Sequence, residues 1–334
     1  MDARRATAVP LSDGLGRRIE YLRLSLTRRC NFRCSYCSPC PVAERPGAVL
    51  DPDEIRALVA GFARLGVRRV RLTGGEPTLR RDLVEIVAAV AAVPGIEEVA
   101  ITTNGQRLGS LAAALRGAGV TRVNVSLDTL RRERLTAVSG PAASLERVIE
   151  GIEAAALAGF ASLKLNTVVL GGVNEDELGA LVRFAWSARA VPRLIELMPF
   201  GRGERVPVAR MKALLERQGV SLEPAETRLG WGPASYHAGH SEEGGRRIGG
   251  AVGFIGAMTE TFCEACNRVR VGPDGALRPC LARPEEVPLR DLLRPSAPRG
   301  AFEERVRAAL LAKAPRHDLD LSSVPRPSMS SIGG

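Results

Sequence analysis

Lysine is nearly absent from this 334-residue sequence, although basic residues are abundant. Lys164, Lys212 and Lys313 are the only lysines. Lys and Arg total 47 against 37 acidic residues, so 47 − 3 = 44 are arginine and the net charge is +10. A compositional bias toward Arg and Ala explains this excess as well as an anionic partner does. Arginine favours phosphate because its guanidinium binds phosphate oxygens in pairs.

Aromatic residues and long apolar runs are also scarce. Aromatics make up 4% of the chain, and no basic block is interleaved with them, which argues against nucleic acid as the partner. No apolar run approaches the ~18 residues that a membrane span requires. The first residues contain no apolar core of a signal peptide. We therefore expect a soluble cytoplasmic protein without a membrane partner.

Cysteine is missing from the whole stretch between Cys40 and Cys263. The seven cysteines form two tight groups, at positions 30, 34, 37 and 40 and at positions 263, 266 and 280. In a reducing compartment, clusters of this kind favour metal binding over disulfides. Two metal sites, far apart in the sequence, are therefore expected.

Strand-like and helix-like segments alternate through the first two thirds of the chain. Strands are predicted at 21–27, 70–73, 99–102, 122–127, 163–169 and 194–198. Helices are predicted at 51–65, 82–93, 109–118, 144–158, 175–188 and 208–218. Such alternation predicts a parallel sheet with helices outside it. Six units are fewer than eight, so we expect an α/β fold, an incomplete (β/α)6 TIM-type barrel.

The pattern changes after residue 220. Residues 228–250 are rich in Gly and are predicted to be loops, and a helix is predicted near 301–314. We expect a mobile segment over 1–19, the partial barrel over 20–220, a C-terminal domain with the second cysteine group over 221–320, and a tail over 321–334.

The first cysteine group permits two kinds of metal site. Three thiolates, Cys30, Cys34 and Cys37, can hold three irons of a cubic iron–sulfur cluster and leave the fourth iron open. A zinc site would need a further Cys or His. Cys40 is either that fourth ligand or a bystander thiol, and the flanking Pro39 and Pro41 favour the bystander.

The second group, Cys263, Cys266 and Cys280, again supplies three thiolates. A structural zinc site would need a fourth donor, for which His237 and His240 are candidates, although loop positions are expected for both. The alternative is a second iron–sulfur cluster with an open iron. Arg268 and Arg270 follow at a spacing that places both on one face of a strand, suited either to a triphosphate or to solvent.

The spacing of the first group, with Tyr36 directly before its last cysteine, resembles the signature of radical S-adenosylmethionine (SAM) enzymes. The resemblance implies a 4Fe–4S cluster on the three cysteines, with SAM bound at the open iron and cleaved to a 5′-deoxyadenosyl radical. The cofactor then carries the chemistry, and the protein orients it. By the same resemblance, contacts to SAM are implied for Tyr36, Gly74, Gly75, Glu76, Ser126 and Met198.

The whole chain from about residue 20 is similar to the GTP 3′,8-cyclase family of molybdenum cofactor (molybdopterin) biosynthesis. The shared blocks are YLRLSLTRRCNFRCSYC, RLTGGEPTLR, ITTNG, NVSLDTL, KLNTVVLGGVNEDEL, IELMPFG, CEACNRVRVGPDGALRPCL and the final SIGG. The family usually has an acidic residue in place of Arg28 and Met-Pro-Glu in place of residues 38–40, so the surroundings of the first cluster differ here.

Roles for individual residues follow from this resemblance. It implies that the second cysteine group also holds a 4Fe–4S cluster, at which the guanine binds. A C-terminal Gly333-Gly334 tail is implied to enter the active site. GTP contacts are implied for Arg23, Arg71, Thr102, Lys164, Arg268, Val269 and Arg270.

The implied reaction is a radical cyclisation by a lyase. The deoxyadenosyl radical would take the ribose 3′-hydrogen of GTP, and the carbon radical would attack C8 of guanine. Reduction of the resulting radical by one electron and one proton, with the electron passing through the second cluster, would give (8S)-3′,8-cyclo-7,8-dihydroguanosine 5′-triphosphate. Implied partners are a flavodoxin or ferredoxin reductant, the downstream cyclic pyranopterin monophosphate synthase, and a second copy in a homodimer. Two rivals stay open: a radical SAM enzyme acting on peptides, and a zinc protein that binds nucleic acid.

Overall fold

The structure, a computed structural model, describes residues 10–37, 44–45, 47–225, 229–317 and 319. Its core is a set of six parallel strands, each followed by at least one helix, as the alternation in the sequence predicts. The strands are β1 (Tyr21–Ser25), β2 (Arg69–Thr73), β3 (Glu98–Thr103), β4 (Arg122–Ser126), β5 (Ser162–Gly171) and β6 (Val191–Glu196).

Helices cover the outside of this sheet. They are α1 (Pro52–Arg64), α2 (Leu83–Ala91), α3 (Leu108–Ala118), α4 (Arg132–Ser139), α5 (Leu145–Leu157), α6 (Leu178–Ser187), α7 (Val208–Arg217) and α8 (Ala301–Leu311). The start of α1 shows why this helix begins where it does. The Asp51 carboxylate accepts from the Glu54 N–H, and the Glu54 carboxylate accepts from the Asp51 N–H. Such a capping box satisfies two of the N–H groups that a helix start leaves unpaired.

All but one of the remaining strands lie at the edges of the six; the exception, Glu204–Arg205, pairs with β5 away from the main path. They are β7 (Glu204–Arg205), β8 (Ser221–Pro224), β9 (Ser235–Glu243), β10 (Arg246–Ile255), β11 (Arg268–Val271), β12 (Ala276–Arg278) and β13 (Val287–Pro288). β10 pairs in parallel with β6, and β11 pairs in parallel with β1. The path runs from β13 to β8 without meeting itself, so the barrel is incomplete, as expected.

The predicted loop over residues 228–250 is wrong, because much of it forms the hairpin of β9 and β10. Two of the glycines that made this stretch look like a loop lie against the indole of Trp186. A Cβ at Gly250 would lie 3.0 Å from the indole ring, and one at Gly239 would lie 3.1 Å from it. Glycine is common in strands where another group approaches closely, and here that group is Trp186.

Residues 10–19, which were expected to be mobile, pack against the helical layer. Leu11 and Ile19 are buried, and the Leu11 N–H donates to the Leu65 carbonyl over 3.1 Å. Gly14 donates to the Leu310 carbonyl at the end of α8. This segment therefore bridges α1 and α8.

In the part of the chain that the structure describes, no helix is both long and apolar enough to cross a membrane.

Candidate active site

A cavity of about 340 Å³ opens inside the partial barrel. The two cysteine groups, separated by more than 220 positions, both line it: Cys30, Cys34, Cys37, Cys263, Cys266 and Cys280. None of the six forms a disulfide. The fold therefore brings together two three-thiol sites that the sequence shows only as separate motifs.

The first cysteine loop is held by the turn after β2. The Gly75 N–H donates to the Thr27 carbonyl over 2.6 Å, and the Glu76 N–H donates to the Arg29 carbonyl over 2.7 Å. A Cβ at Gly75 would lie 2.2 Å from the Arg29 oxygen, closer than any real contact. Glycine is required at position 75 because the backbone of the cysteine loop passes directly over it.

Glu76 lines the cavity, but its carboxylate is already occupied by protein donors. One oxygen accepts from the Thr78 and Thr103 hydroxyls, both at 2.6 Å, and the other accepts from the Asn104 N–H at 2.7 Å. Burial raises the pKa of this carboxyl, and these hydrogen bonds oppose the rise. In the structure, Glu76 links the ends of β2 and β3 beneath the cysteine loop.

The surroundings of Cys30, Cys34 and Cys37 fit an iron–sulfur cluster. The Phe32 N–H donates to the Cys30 sulfur over 3.3 Å, a contact of the kind that tunes such clusters. Burial raises the pKa of Cys30 and Cys34 to about 12 and that of Cys37 to about 11. Coordination deprotonates a thiol, so a bound cluster would convert these three buried thiols to thiolates.

Tyr36 is fixed by a buried acid. Its hydroxyl donates to Asp128 over 2.6 Å, and the other Asp128 oxygen accepts from the Val168 N–H at 2.9 Å. Burial raises the pKa of Asp128 to about 6, although both hydrogen bonds oppose the shift. Asp128 therefore sets the position of the aromatic ring beside Cys37.

Arginines line another part of the cavity, and strand register explains their grouping. Arg23 on β1 lies level with Arg71 on β2 and with Arg270 on β11. Burial, and then repulsion by Arg270 and Arg71, lowers the pKa of Arg23. Burial lowers the pKa of Arg270 to about 10, with repulsion from Arg268 as the next cause. Because these cations repel each other, the row favours binding of an anion.

Arg193 on β6 belongs to the same cationic lining. It is 5% exposed, and its Nε donates to the Asn166 side chain over 2.8 Å. Burial, followed by repulsion from Arg71, lowers its pKa to about 10. Nothing in the local sequence around Arg193 distinguishes it from other arginines, since its place in the cavity depends on strand register.

The second cysteine group is held by both ends of the chain. Arg17 donates to the carbonyls of Cys263 (2.8 Å), Ala314 (2.8 Å) and Pro315 (2.9 Å). Its Nε also pairs with the Asp13 carboxylate at 2.6 Å. The N-terminal segment and the chain after α8 therefore both brace the Cys263 loop.

The surroundings of this group also fit a cluster. Burial raises the pKa of Cys266, but Lys313 and Arg268 more than reverse the effect and lower it to about 7. Among the described residues, no three or more His, Cys, Asp or Glu side chains are arranged for a single metal ion. His237 and His240, the alternative zinc donors, lie on β9 rather than in a loop, and neither lines the cavity.

Most residues singled out in the sequence line this one cavity. Besides the six cysteines, they are Arg23, Tyr36, Arg71, Gly74, Gly75, Glu76, Thr102, Ser126, Met198, Arg268 and Arg270. Val269 does not, because it is fully buried in the main core. Cys40, Gly333 and Gly334, to which the sequence also assigned roles, lie outside the described residues. The cavity residues that sequence reasoning missed include Asn104, Asp128, Asn166 and Arg193.

Lys164 is not in the cavity lining either. Its ammonium donates to the Leu229 carbonyl and, over 2.8 Å, to the Tyr236 hydroxyl. Burial lowers its pKa to about 7, with repulsion from Arg193 as the next cause. Gly232 and Pro233 do line the cavity, so the stretch 229–233 lies beside both Lys164 and the site.

Arg28 stands where the family usually has an acidic residue. It does not line the cavity, and its side chain contacts another part of the protein instead. Its guanidinium pairs with Asp274, in the turn between β11 and β12. The positive charge beside the first cluster is therefore balanced within the protein.

The comparisons with known proteins agree with this site. Residues 24–185 match the Radical SAM superfamily, and residues 191–319 match the family described as Molybdenum Cofactor Synthesis C. The chain is thus a radical SAM protein. A relative named GTP 3′,8-cyclase, from Heliobacterium modesticaldum, is 43% identical over 96% of this chain and 99% of its own length. The chain belongs to the GTP 3′,8-cyclase family, whose members use SAM and two 4Fe–4S clusters.

A second relative supports this grouping, and a solved structure supports the fold. The GTP 3′,8-cyclase of Pelotomaculum thermopropionicum is 41% identical over 97% of this chain and all of its own length. The crystal structure of Streptococcus suis SuiB bound to precursor peptide SuiA has a TM-score of 0.64 at 14% identity, covering 93% of this chain and 74% of that one. At that identity the likeness concerns the fold alone.

Proposed function

We propose that this protein converts GTP to (8S)-3′,8-cyclo-7,8-dihydroguanosine 5′-triphosphate, the first step of molybdenum cofactor biosynthesis. The observation that carries the proposal is the shared cavity, lined by both cysteine groups and by buried arginines. A catalyst for this ring closure needs a radical source, a base-binding site and a triphosphate clamp around one substrate. Family membership supplies the substrate, and the cavity supports that assignment.

Cys30, Cys34 and Cys37 would hold the cluster at which SAM binds. When bound, cluster and SAM together supply a 5′-deoxyadenosyl radical able to abstract a hydrogen atom. The turn Gly74–Glu76 would contact the SAM amino group with its backbone, since the Glu76 carboxylate is occupied by Thr78, Thr103 and Asn104. Ser126, Tyr36 and Met198, which line the same cavity, would complete the SAM site.

Arg23, Arg71, Arg268 and Arg270 would hold the triphosphate. Burial, and after it repulsion by neighbouring arginines, lowers the pKa of Arg23 and Arg270, and a bound polyanion would offset that repulsion. Thr102 lies within this group, since its hydroxyl accepts from Arg71 over 3.3 Å. Anchoring the triphosphate fixes the ribose against the base, and orientation of this kind is worth about 7–11 kcal/mol in intramolecular reactions.

Cys263, Cys266 and Cys280 would hold the second cluster beside the guanine. Lys164 would join the substrate contacts if its bonds to Leu229 and Tyr236 were exchanged for bonds to GTP. The Gly333-Gly334 tail is proposed to enter the site on the strength of the family resemblance, and deletion of both glycines should abolish activity while GTP still binds.

Further partners follow from the proposed reaction. Cleavage of SAM needs a one-electron donor, for which flavodoxin or ferredoxin is the expected class. The product would pass to cyclic pyranopterin monophosphate synthase. The two reduced cysteine groups favour a cytoplasmic location, because thiols persist in reducing compartments. A homodimer, and a boundary near residue 220 between the barrel and a C-terminal domain, also stay proposals.

The decisive experiment is anaerobic reconstitution with iron, sulfide, SAM, GTP and dithionite, followed by mass analysis. We expect 5′-deoxyadenosine together with a cyclised isomer of GTP. Arg268→Ala and Arg270→Ala should each weaken GTP binding, whereas the exposed Arg217→Ala on α7 should not. Absence of both products, or of GTP binding, would refute the proposal.

Metal and substrate analysis separate the two rivals. A peptide-modifying enzyme would still cleave SAM but would show no GTP affinity. A zinc protein would be colourless and carry two zinc ions, whereas the cyclase would be brown and carry about eight irons. Cys40→Ser should keep both iron and activity if Cys40 is a bystander.

A further inference from the structure

Lys313 contacts a cysteine of the second group, and the proposed function gives it no role. It is one of only three lysines in the chain. Its ammonium lies 3.4 Å from the Cys266 sulfur and donates to the Arg268 carbonyl over 2.7 Å. It is 5% exposed, so it is a buried cation at a thiol site.

The position of this lysine is fixed by several contacts. The Lys313 N–H donates to the Leu310 carbonyl at the end of α8. The next two carbonyls, of Ala314 and Pro315, accept from Arg17. The nearby acid Asp13 accepts from Arg17 and from the backbone N–H of Leu15. Both acceptors of the Lys313 ammonium therefore lie on the cysteine loop and the strand after it.

Placement also limits what Lys313 can do. It does not line the cavity, so it would not touch SAM or GTP. The other cysteines have different contacts from Cys266. Arg17 donates to the carbonyl of Cys263, not to its sulfur. In the first cysteine group, the Cys30 sulfur accepts from a backbone N–H, and the Cys34 sulfur lies near the Ser139 hydroxyl. A full positive charge against a sulfur is specific to the second group among the contacts of the described residues.

We propose that Lys313 is a positioning residue of the second iron–sulfur cluster, whose ammonium donates to the Cys266 thiolate and raises the reduction potential of that cluster. This inference rests on the proposed function, in which the cluster is present. One-electron reduction adds one negative charge to the cluster and neither forms nor breaks a bond. A nearby cation and a donor to sulfur both stabilise the more negative state, and hydrogen bonds to sulfur are an established control of cluster potential.

The consequence for the enzyme is that the second cluster becomes easier to reduce. The second cluster would accept an electron from a low-potential one-electron donor more readily than it would without Lys313. The same contact would also hold the Cys266 side chain in place, because the lysine is anchored between α8 and the Cys263 loop. Loss of Lys313 would therefore be visible in the potential even where the iron content stays unchanged.

The test compares reconstituted wild-type protein with Lys313→Met, which keeps the length of the side chain but removes charge and donor. The midpoint potential of each cluster is measured by dithionite titration monitored by electron paramagnetic resonance, and added SAM identifies the signal of the first cluster. We expect the second cluster of Lys313→Met to have a more negative potential, with the first unchanged. Lys212→Met, on α7, is the matched control and should leave both potentials unchanged.

Other outcomes would overturn the inference. An unchanged potential of a fully loaded second cluster would overturn it while leaving the proposed function intact. Absence of iron from the second site of the wild-type protein would overturn both. Should Lys313→Met fold poorly, Lys313→Gln keeps a neutral donor and should still shift the potential in the negative direction, and an unchanged potential in that variant would likewise overturn the proposal.

Discussion

Gly75→Ala should remove the first iron–sulfur cluster and spare the second. The added Cβ would lie 2.2 Å from the Arg29 oxygen and 2.7 Å from the Arg28 oxygen, and both are backbone atoms of the cysteine loop. Neither can rotate away, so the loop must move as a unit. Such movement would break the bonds from Gly75 to Thr27 and from Glu76 to Arg29.

The size of the effect follows from these contacts. Overpacking a tight site costs about 1–3 kcal/mol, and each lost backbone hydrogen bond adds about 1 kcal/mol. We therefore expect a loss of about 3–5 kcal/mol in the free energy of unfolding. Because Cys30 follows Arg29 directly, the same movement should displace the first thiolate from its partners.

Two measurements test this prediction. Iron per chain after anaerobic reconstitution should fall by about four of eight, with the SAM-sensitive paramagnetic signal lost. Denaturant unfolding gives the change in stability. Gly117→Ala is the matched control, since Gly117 is exposed on α3 and a Cβ there meets nothing within 4 Å. That variant should be more stable by about 0.5–1 kcal/mol. Full iron and unchanged stability in Gly75→Ala would refute the reasoning.

Three further predictions concern charged residues. Arg193→Met should weaken GTP binding by about 10- to 100-fold in calorimetry, since a hydrogen bond to a charged group is worth about 1.5–3 kcal/mol. The same change should not destabilise the free protein, because it relieves the repulsion between Arg193 and Arg71. Between pH about 7 and 10.5, Lys164 binds fewer protons in the folded than in the unfolded state, so its contribution to stability rises with pH in that window and is constant below about 7. Lys164→Met should flatten that rise in unfolding titrations. Arg17→Met should cost about 3–5 kcal/mol, because it leaves buried Asp13 unpaired, and should reduce iron at the second site.

Each of these predictions has an outcome that would contradict it. Unchanged GTP affinity in Arg193→Met would contradict the assignment of Arg193 to the anion site. A steep rise in stability above pH 7 that persists in Lys164→Met would show that another group titrates there. Arg18 is more than half exposed and pairs with Glu20, so Arg18→Met should change little, and an equal loss from Arg18→Met and Arg17→Met would contradict the role of Arg17.

Local pattern was enough to predict the six strand–helix units, because each depends on residues close in sequence. The hairpin of β9 and β10 was missed, since the contact of Gly239 and Gly250 with Trp186, more than fifty residues earlier, is not visible in the local pattern. Motif spacing likewise located both cysteine groups, but no spacing reveals that they share a cavity. Strand register decides that, and it also decides which arginines stand level with Arg23.

The two glycines after β2 show a different limit. The sequence led us to expect that they allow a ligand to approach the backbone. The structure gives Gly75 a second task, which is to admit the backbone of the cysteine loop. A motif can therefore be located correctly while the physical reason for its residues lies in a contact that the sequence does not display.

The position of β10 and β11 has a consequence for how this chain folds as it is synthesised. Among the described residues, the outer edge of β1 pairs with β11 and that of β6 with β10, so that Tyr21 pairs with Arg268, more than 240 positions later in the chain. A nascent chain that has emerged as far as α7 would carry two open strand edges, which are templates for aggregation. These two edges are covered only after β10 and β11 have been synthesised, and such pairings between residues far apart in sequence form slowly. The contacts that complete the active site would thus also end the most vulnerable stage in the folding of this protein.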